Sequence, residues 1–195
     1  MNVAAGGRLN TGHWSYDPLE VAVGKVLYAA TMSLDGFIAG PGGDMSWLTP
    51  YVGQPNAVAA GLARQIGALF VGGRTYRGDD PNRGTDKEGA FGGTWHGPQF
   101  VLTRRPPDTE VPDTTFVSDV RDGVAAARAA AGDRYVNVLG AEAARLCLEA
   151  GLLDEVLVFV APVLLGDGVR LFDHPGGTTV RLERISAELW FRVLR

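Results

Sequence analysis

The stretch Lys25 to Ala39, KVLYAATMSLDGFIA, constrains the fold of this chain more than any other. Val26-Leu27-Tyr28-Ala29-Ala30-Thr31-Met32 is a continuous apolar run, which reads as a buried strand. It breaks at Ser33-Leu34-Asp35-Gly36, a polar bend containing a glycine, and Phe37-Ile38-Ala39 then resumes extended structure. Ala29 and Ala30 are small, so the end of the strand leaves room for something flat, either a neighbouring element or a ligand.

The rest of the chain alternates in kind. Asp44 to Leu48 reads as the start of a short helix, and Val58, Leu62 and Ile66 put one apolar face on a helix that Gly67 ends. Ala68 to Val71 is a strand buried on both faces. Residues 78–98 carry no period and read as a functional flap or mobile loop. Short strands follow at 99–103 and 115–117, a helix at 119–131 capped by Ser118 and closed by Gly132, and a strand at 135–139. A helix at 141–150 and an apolar strand at 156–160 come next. The tail reads as an antiparallel hairpin turning near Ser186-Ala187, with Leu189, Phe191 and Val193 on one face. Strands alternating with helices, then an antiparallel end, predict an α/β chain with a mixed sheet covered on both sides. Residues 1–24 read as an extension outside that core, and 25–195 as one domain.

With 195 residues, 46% hydrophobic and 21% charged, the chain is long enough for one compact core. A net charge of −4 without any Lys/Arg cluster argues against nucleic acid as a partner. No apolar run reaches the roughly 18 residues of a membrane span, and the N-terminus lacks the pattern of a secretory signal. A cytoplasmic address is therefore expected. The single cysteine, Cys147, excludes an internal disulfide and reads as a buried thiol. His13, His96 and His174 lie far apart, with no acidic residues at ligand spacing, so no metal site is expected.

Chemistry is expected where strands run into polar turns, because open α/β sheets take ligands beyond strand carboxyl ends. Gly72-Gly73-Arg74-Thr75 offers close backbone approach, free N–H groups and a fixed charge, or is only a tight connection. Thr103-Arg104-Arg105 suits a phosphate monoester such as a ribose 2′-phosphate, or is a solvated loop. Gly140-Ala141-Glu142 could receive a pyrophosphate, provided the Glu142 carboxylate points outward. Asp44, near Met45 and Trp47, is the best candidate acid if a pocket raises its pKa; otherwise it is an acid favouring a helix N-terminus. Two anion-friendly turns and an Arg pair on successive strands fit a phosphorylated dinucleotide.

Taken in order, ATMSLDGFIA (30–39), GRTY (73–76), FVLTRRPP (100–107), AGLLDEV (150–156), APVLLGDG (161–168) and Leu171-Phe172 resemble the dihydrofolate reductase-like superfamily. Within it they are similar to the reductase domain of the bacterial riboflavin-pathway deaminase-reductase and its stand-alone relatives, over about residues 25–195. The resemblance implies a three-layer αβα fold with a mainly parallel sheet, NADPH as hydride donor, a small-molecule substrate and a homodimer. It places Gly73, Arg74 and Thr75 at the cofactor phosphates, Thr103 and Arg104 at the 2′-phosphate, and Gly140, Ala141 and Glu142 at the pyrophosphate turn. Ala30, Asp35, Gly36 and Ile38 would line the nicotinamide and substrate region, and Tyr28, Trp47 and Leu48 the substrate. Asp44, or else Asp35, would assist protonation.

Two departures qualify this expectation. Leu139-Gly140 stands where the superfamily often has Gly-Gly, and the H-x-E and P-C-x-x-C signature of zinc deaminases is absent. The expected activity is NADPH-dependent reduction of a pterin- or pyrimidine-like heteroaromatic substrate. The alternatives are reduction of 5-amino-6-(5-phosphoribosylamino)uracil in the riboflavin pathway, dihydrofolate reduction, and a non-catalytic NADPH or pterin binder. An apolar edge at 188–194 would favour pairing of two subunits.

Overall fold

The computed structural model describes residues 24–51, 56–78, 80 and 82–195. The extension expected at 1–24 lies outside the described residues apart from Gly24. The chain begins with β1 (Val26–Ser33) and β2 (Phe37–Ala39), followed by 3₁₀ turns at Pro41–Gly43 and Ser46–Leu48. Then come α1 (Ala57–Gln65), β3 (Ile66–Gly72), the single-turn α2 (Gly73–Tyr76), β4 (Gln99–Leu102) and β5 (Thr114–Val117). The sequence continues through α3 (Val120–Ala131), β6 (Tyr135–Leu139), α4 (Ala141–Glu149) and β7 (Glu155–Ala161). It closes with β8 (Val169–Arg170), β9 (Leu182–Arg184) and β10 (Leu189–Val193).

Eight of these strands form one sheet in the order β5-β4-β3-β6-β1-β7-β10-β9, and β2 pairs with β8 in a separate ribbon. Pairing is parallel from β5 to β7 and antiparallel at β10 and β9. Side chains alternate between two apolar layers, as strand geometry requires. Val26, Tyr28, Phe70, Val136 and Val138 face α3 and α4, meeting Val124, Ala127, Ala144 and Cys147. Leu27, Leu69, Val71, Leu157 and Trp190 face the other way, under Leu62 of α1 and Phe91 and Trp95 of the 82–98 segment. The result is the expected αβα arrangement, a dihydrofolate reductase-like fold.

Several boundaries differ from the sequence expectation. Helix α1 is capped by the Asn56 side chain, which accepts from Ala59 N–H, and it ends at Gln65; Ile66 and Gly67 already belong to β3. The sheet claims Ile66 because it pairs with Tyr135. Gly67 is needed for close packing, since a Cβ there would lie 2.5 Å from the Ala131 carbonyl oxygen. Asp119, not Ser118, caps α3: its carboxylate accepts from the N–H groups of Arg121 and Asp122. In the tail, Leu189 and Val193 pack on the α3/α4 layer as one face. The strand's most buried residue, however, is Trp190, on the opposite face. The first strand of the expected hairpin is confined to Leu182–Arg184, and this β9, rather than β10, forms the sheet edge.

Candidate functional site at the carboxyl ends of the strands

Strands β4, β3 and β6 are adjacent and parallel, so their carboxyl ends open on one edge of the sheet. Three of the turns singled out in the sequence meet there. A Cβ on Gly73, at the start of α2, would lie 2.9 Å from the Leu102 carbonyl oxygen and 3.1 Å from Thr103 Cβ. Gly140, at φ 100°, lies so close to α2 that a Cβ would come 2.2 Å from Thr75 Oγ1. Glycine at both positions lets the β3–α2, β4 and β6–α4 turns pack into one patch. Thr103 Oγ1 accepts from Arg105 N–H at 3.1 Å and from Arg77 Nη1 at 3.4 Å, and Arg74 and Arg104 stand exposed beside it.

Helix α4 opens on Gly140 without a side-chain cap, and the Ala144 N–H is bonded to Gly140 O at 3.0 Å. The amides of Ala141, Glu142 and Ala143 therefore precede the helix's own hydrogen-bond ladder. The Glu142 carboxylate is gripped by Arg145, whose side-chain hydrogen bond, with help from the charges of Arg145 and Arg74, holds its pKa below the usual range. Backbone amides, two exposed guanidinium groups and glycines at the contact points form a donor set suited to a phosphorylated dinucleotide.

A second feature lies at β1. Its ladder with β6 stops at Tyr28↔Val138, whereas its ladder with β7 continues to Ser33↔Ala161. Past that point the Ala29 N–H is taken by the side-chain oxygen of Asn137 at 3.2 Å, and Ala29 and Ala30 are half-buried. Tyr28, expected beside the substrate, instead lies in the core, 1% exposed and edge-on to Phe172 at 5.3 Å. Its hydroxyl donates to the Leu171 carbonyl, and burial pushes its pKa well up.

The two candidate acids are both held as anions. Asp35 accepts from Ser33 Oγ at 2.6 Å, Leu165 N at 3.1 Å and Gly166 N at 2.7 Å. The Ser33 hydrogen bond is the main reason its pKa falls to about 2. Gly36 adds a backbone bond from Leu171 N, and Ile38 sits half-buried in β2, so the β1–β2 bend is fastened to the 163–171 segment. Asp44 is exposed and accepts from Ser46 N at 2.9 Å and Ser46 Oγ at 3.0 Å. These bonds lower its pKa, the reverse of the raised value expected for a carboxyl in an apolar pocket. Trp47 and Leu48, half-buried, belong to the 3₁₀ turn that follows.

Three residues at these positions were not anticipated. Arg77 bears no local mark of its role, because its partner Thr103 stands 26 residues away and meets it only once the turns come together. Arg145, by contrast, has Glu142 and Glu149 at helical spacing on its own helix, a local signal that sequence reading passed over. Asn137 does carry a signal: it is the polar residue inside the apolar run YVNVL, and it proves to be 1% exposed.

The RibD C-terminal domain family matches residues 24–190. No curated protein matches the chain. Among solved structures, a riboflavin biosynthesis protein from Shewanella sp. PV-4 superposes with a TM-score of 0.65 at 24% identity, covering 88% of this chain and 99% of its own. The Thermotoga maritima diaminohydroxyphosphoribosylaminopyrimidine deaminase/5-amino-6-(5-phosphoribosylamino)uracil reductase gives 0.55 at 19% identity over 87% of this chain. The present chain spans 55% of that protein's length. Dihydrofolate reductase from Enterococcus faecalis, complexed with NADP(H), gives 0.50 at 14% identity, covering 89% of this chain and 95% of its own. At these identities the superpositions speak to the fold. The family match, spanning most of the chain, speaks to descent: the protein belongs to the RibD C-terminal domain family.

Proposed function

We propose that the protein is an NADPH-dependent reductase of a small, flat, pterin- or pyrimidine-like heteroaromatic substrate. The observation that carries this reading is the meeting of Gly73, Thr75, Thr103 and Gly140 at one sheet edge, flanked by Arg74 and Arg104, in a RibD C-terminal domain. When bound, NADPH supplies a hydride. The chain's own residues bind and orient. Thr103 and Arg104 take the 2′-phosphate, and Gly73, Arg74 and Thr75 the neighbouring phosphates. The first-turn amides of α4, at Ala141 and Glu142, take the pyrophosphate.

Ala30, Gly36 and Ile38 form the wall for the nicotinamide, with Trp47 and Leu48 on the substrate side. Asp44, an anion at neutral pH, would pass on a proton received from water rather than store one. Asp35 would keep the β1–β2 bend in place. A homodimer in the cytoplasm completes the proposal; among the described residues no helix is long and apolar enough to cross a membrane. Family membership favours a second reading of the substrate, namely 5-amino-6-(5-phosphoribosylamino)uracil, whose reduction the Thermotoga protein's name states.

Titration of the purified protein with NADPH and NADH, followed by nicotinamide fluorescence, tests the reading. Tighter binding of NADPH than of NADH is expected. Arg104→Ala should weaken NADPH by about tenfold, the order of one charge-assisted hydrogen bond, and leave NADH nearly unchanged. Equal losses for both nucleotides would remove Arg104 from the 2′-phosphate, and binding of neither would overturn the cofactor reading. Assays with the phosphoribosyl pyrimidine and with pterins then separate the two substrates.

A further inference from the structure

An acid in the first turn of a helix usually stabilises it, because the turn's exposed N–H groups carry partial positive charge. At a helix start that must accept an anionic ligand, the same acid competes with the ligand. Glu142 is such a residue, in the first turn of the nine-residue α4. The structure shows how its charge is taken up. Arg145, one turn along, donates from Nε to Glu142 Oε2 at 3.0 Å and from Nη2 to Oε1 at 2.7 Å. Its remaining arm, Nη1, donates to Glu149 at 2.5 Å, and Glu149 also meets His174 Nδ1 at 3.0 Å. The guanidinium is thus bracketed on the outer side of α4, and the two-pronged grip fixes the direction of Glu142 as well as its charge.

A second cation lies within electrostatic reach of Glu142. Arg74 is carried by α2, and α2 abuts the start of α4 where Thr75 meets Gly140. Without Arg145, Glu142 would have Arg74 as its partner. Swinging towards it would neutralise a cation of the site and bring a carboxylate across the free amides of α4.

We propose that Arg145 is a positioning residue of the nucleotide site: by holding Glu142 along the outer face of α4, it keeps the helix's first turn and Arg74 available to a pyrophosphate. The proposal rests on the cofactor reading above and adds to it a residue that touches no ligand. It also explains how this chain tolerates an acid at that turn.

A double-mutant cycle on NADPH affinity tests it, using the full chain and fluorescence titration. Arg145→Ala is expected to weaken NADPH by about fivefold, the upper range for one charge at a helix N-terminus. Glu142→Gln should bind NADPH at least as tightly as the parent protein. The decisive variant is the double substitution, which should stay within about twofold of Glu142→Gln alone, a coupling that only contacting residues show. Glu149→Ala, which releases the other arm of Arg145, should leave NADPH affinity as it is. No effect of Arg145→Ala would overturn the proposal. So would an equal loss with and without Glu142, which would mean that Arg145 acts through its own charge or through helix stability. If the parent protein binds no NADPH, the cofactor reading falls and this inference falls with it.

Discussion

At Asp35 a hydroxyl and two backbone N–H groups converge on one carboxylate, and this arrangement makes the folded protein sensitive to acid. Its pKa in the folded state is about 2, below the ordinary carboxylate value near 4. A depressed folded pKa contributes stability that is fully present above the unfolded value and is lost as pH falls through the folded one. Between about pH 4 and pH 2 the parent protein should therefore lose stability that Asp35→Asn has already lost. Thermal unfolding at several pH values should show the two proteins converging across that window; a constant gap would remove Asp35 as the source. The sequence suggested an acid at 35 or at 44 but not its state, because the donors to Asp35 include backbone groups 130 residues away. For Asp44 the alternative, an acid near a helix start, was readable, since Ser46, two residues on, opens the 3₁₀ turn and supplies both donors. Cys147 was legible as a buried thiol, and burial pushes its pKa up to about 12.

At the scale of elements, the strand-to-helix turns were legible one at a time because glycine marks them, whereas their meeting was not. It depends on β4, β3 and β6 lying side by side, and β6 reaches β3 from some 60 residues downstream. Gly140 makes this dependence measurable. Its φ of 100° disfavours any side chain, and a Cβ would collide with Thr75 Oγ1. Gly140→Ala is expected to destabilise the protein by about 1–3 kcal/mol, the range for backbone strain at a special dihedral. It should also weaken NADPH, because relief requires α2 and α4 to part. Urea unfolding and nucleotide titration check the two effects together. Loss of stability with unchanged affinity would detach this turn from the nucleotide. The early end of α1 is a smaller case of the same kind: the helical period ran on to Ile66, but pairing with Tyr135 drew that residue into the sheet.

Across the whole molecule, the two edges of the parallel sheet are built differently. The carboxyl edge is a set of turns around glycines and exposed cations, while the amino edge is fastened by buried and half-buried ion pairs. Glu155, 1% exposed at the start of β7, accepts from Lys25 Nζ at 3.0 Å, Tyr135 Oη at 3.0 Å and Trp190 Nε1 at 2.8 Å. One carboxylate thereby joins β6, β7 and β10, and the residue that leads into β1, the strand lying between β6 and β7. Beside it, Asp154 accepts from Val26 N, Arg128 and Arg195, adding α3 and the chain end to the same anchor. Nothing local in Asp154-Glu155 distinguishes it from an ordinary strand boundary, because the partners of Glu155 stand 20, 35 and 130 residues away. Glu155→Ala would withdraw the acceptor from all three donors and leave a lysine charge beside the core. The expected cost is about 3–5 kcal/mol, as for breaking a buried ion pair from one side. In urea the midpoint should fall with little change in slope, since the fold and its buried area are retained. Below the new midpoint NADPH affinity should match the parent's, because the anchor lies at the end of the sheet opposite the proposed nucleotide patch. A loss under about 1 kcal/mol would mean that apolar packing alone holds the central strands in register.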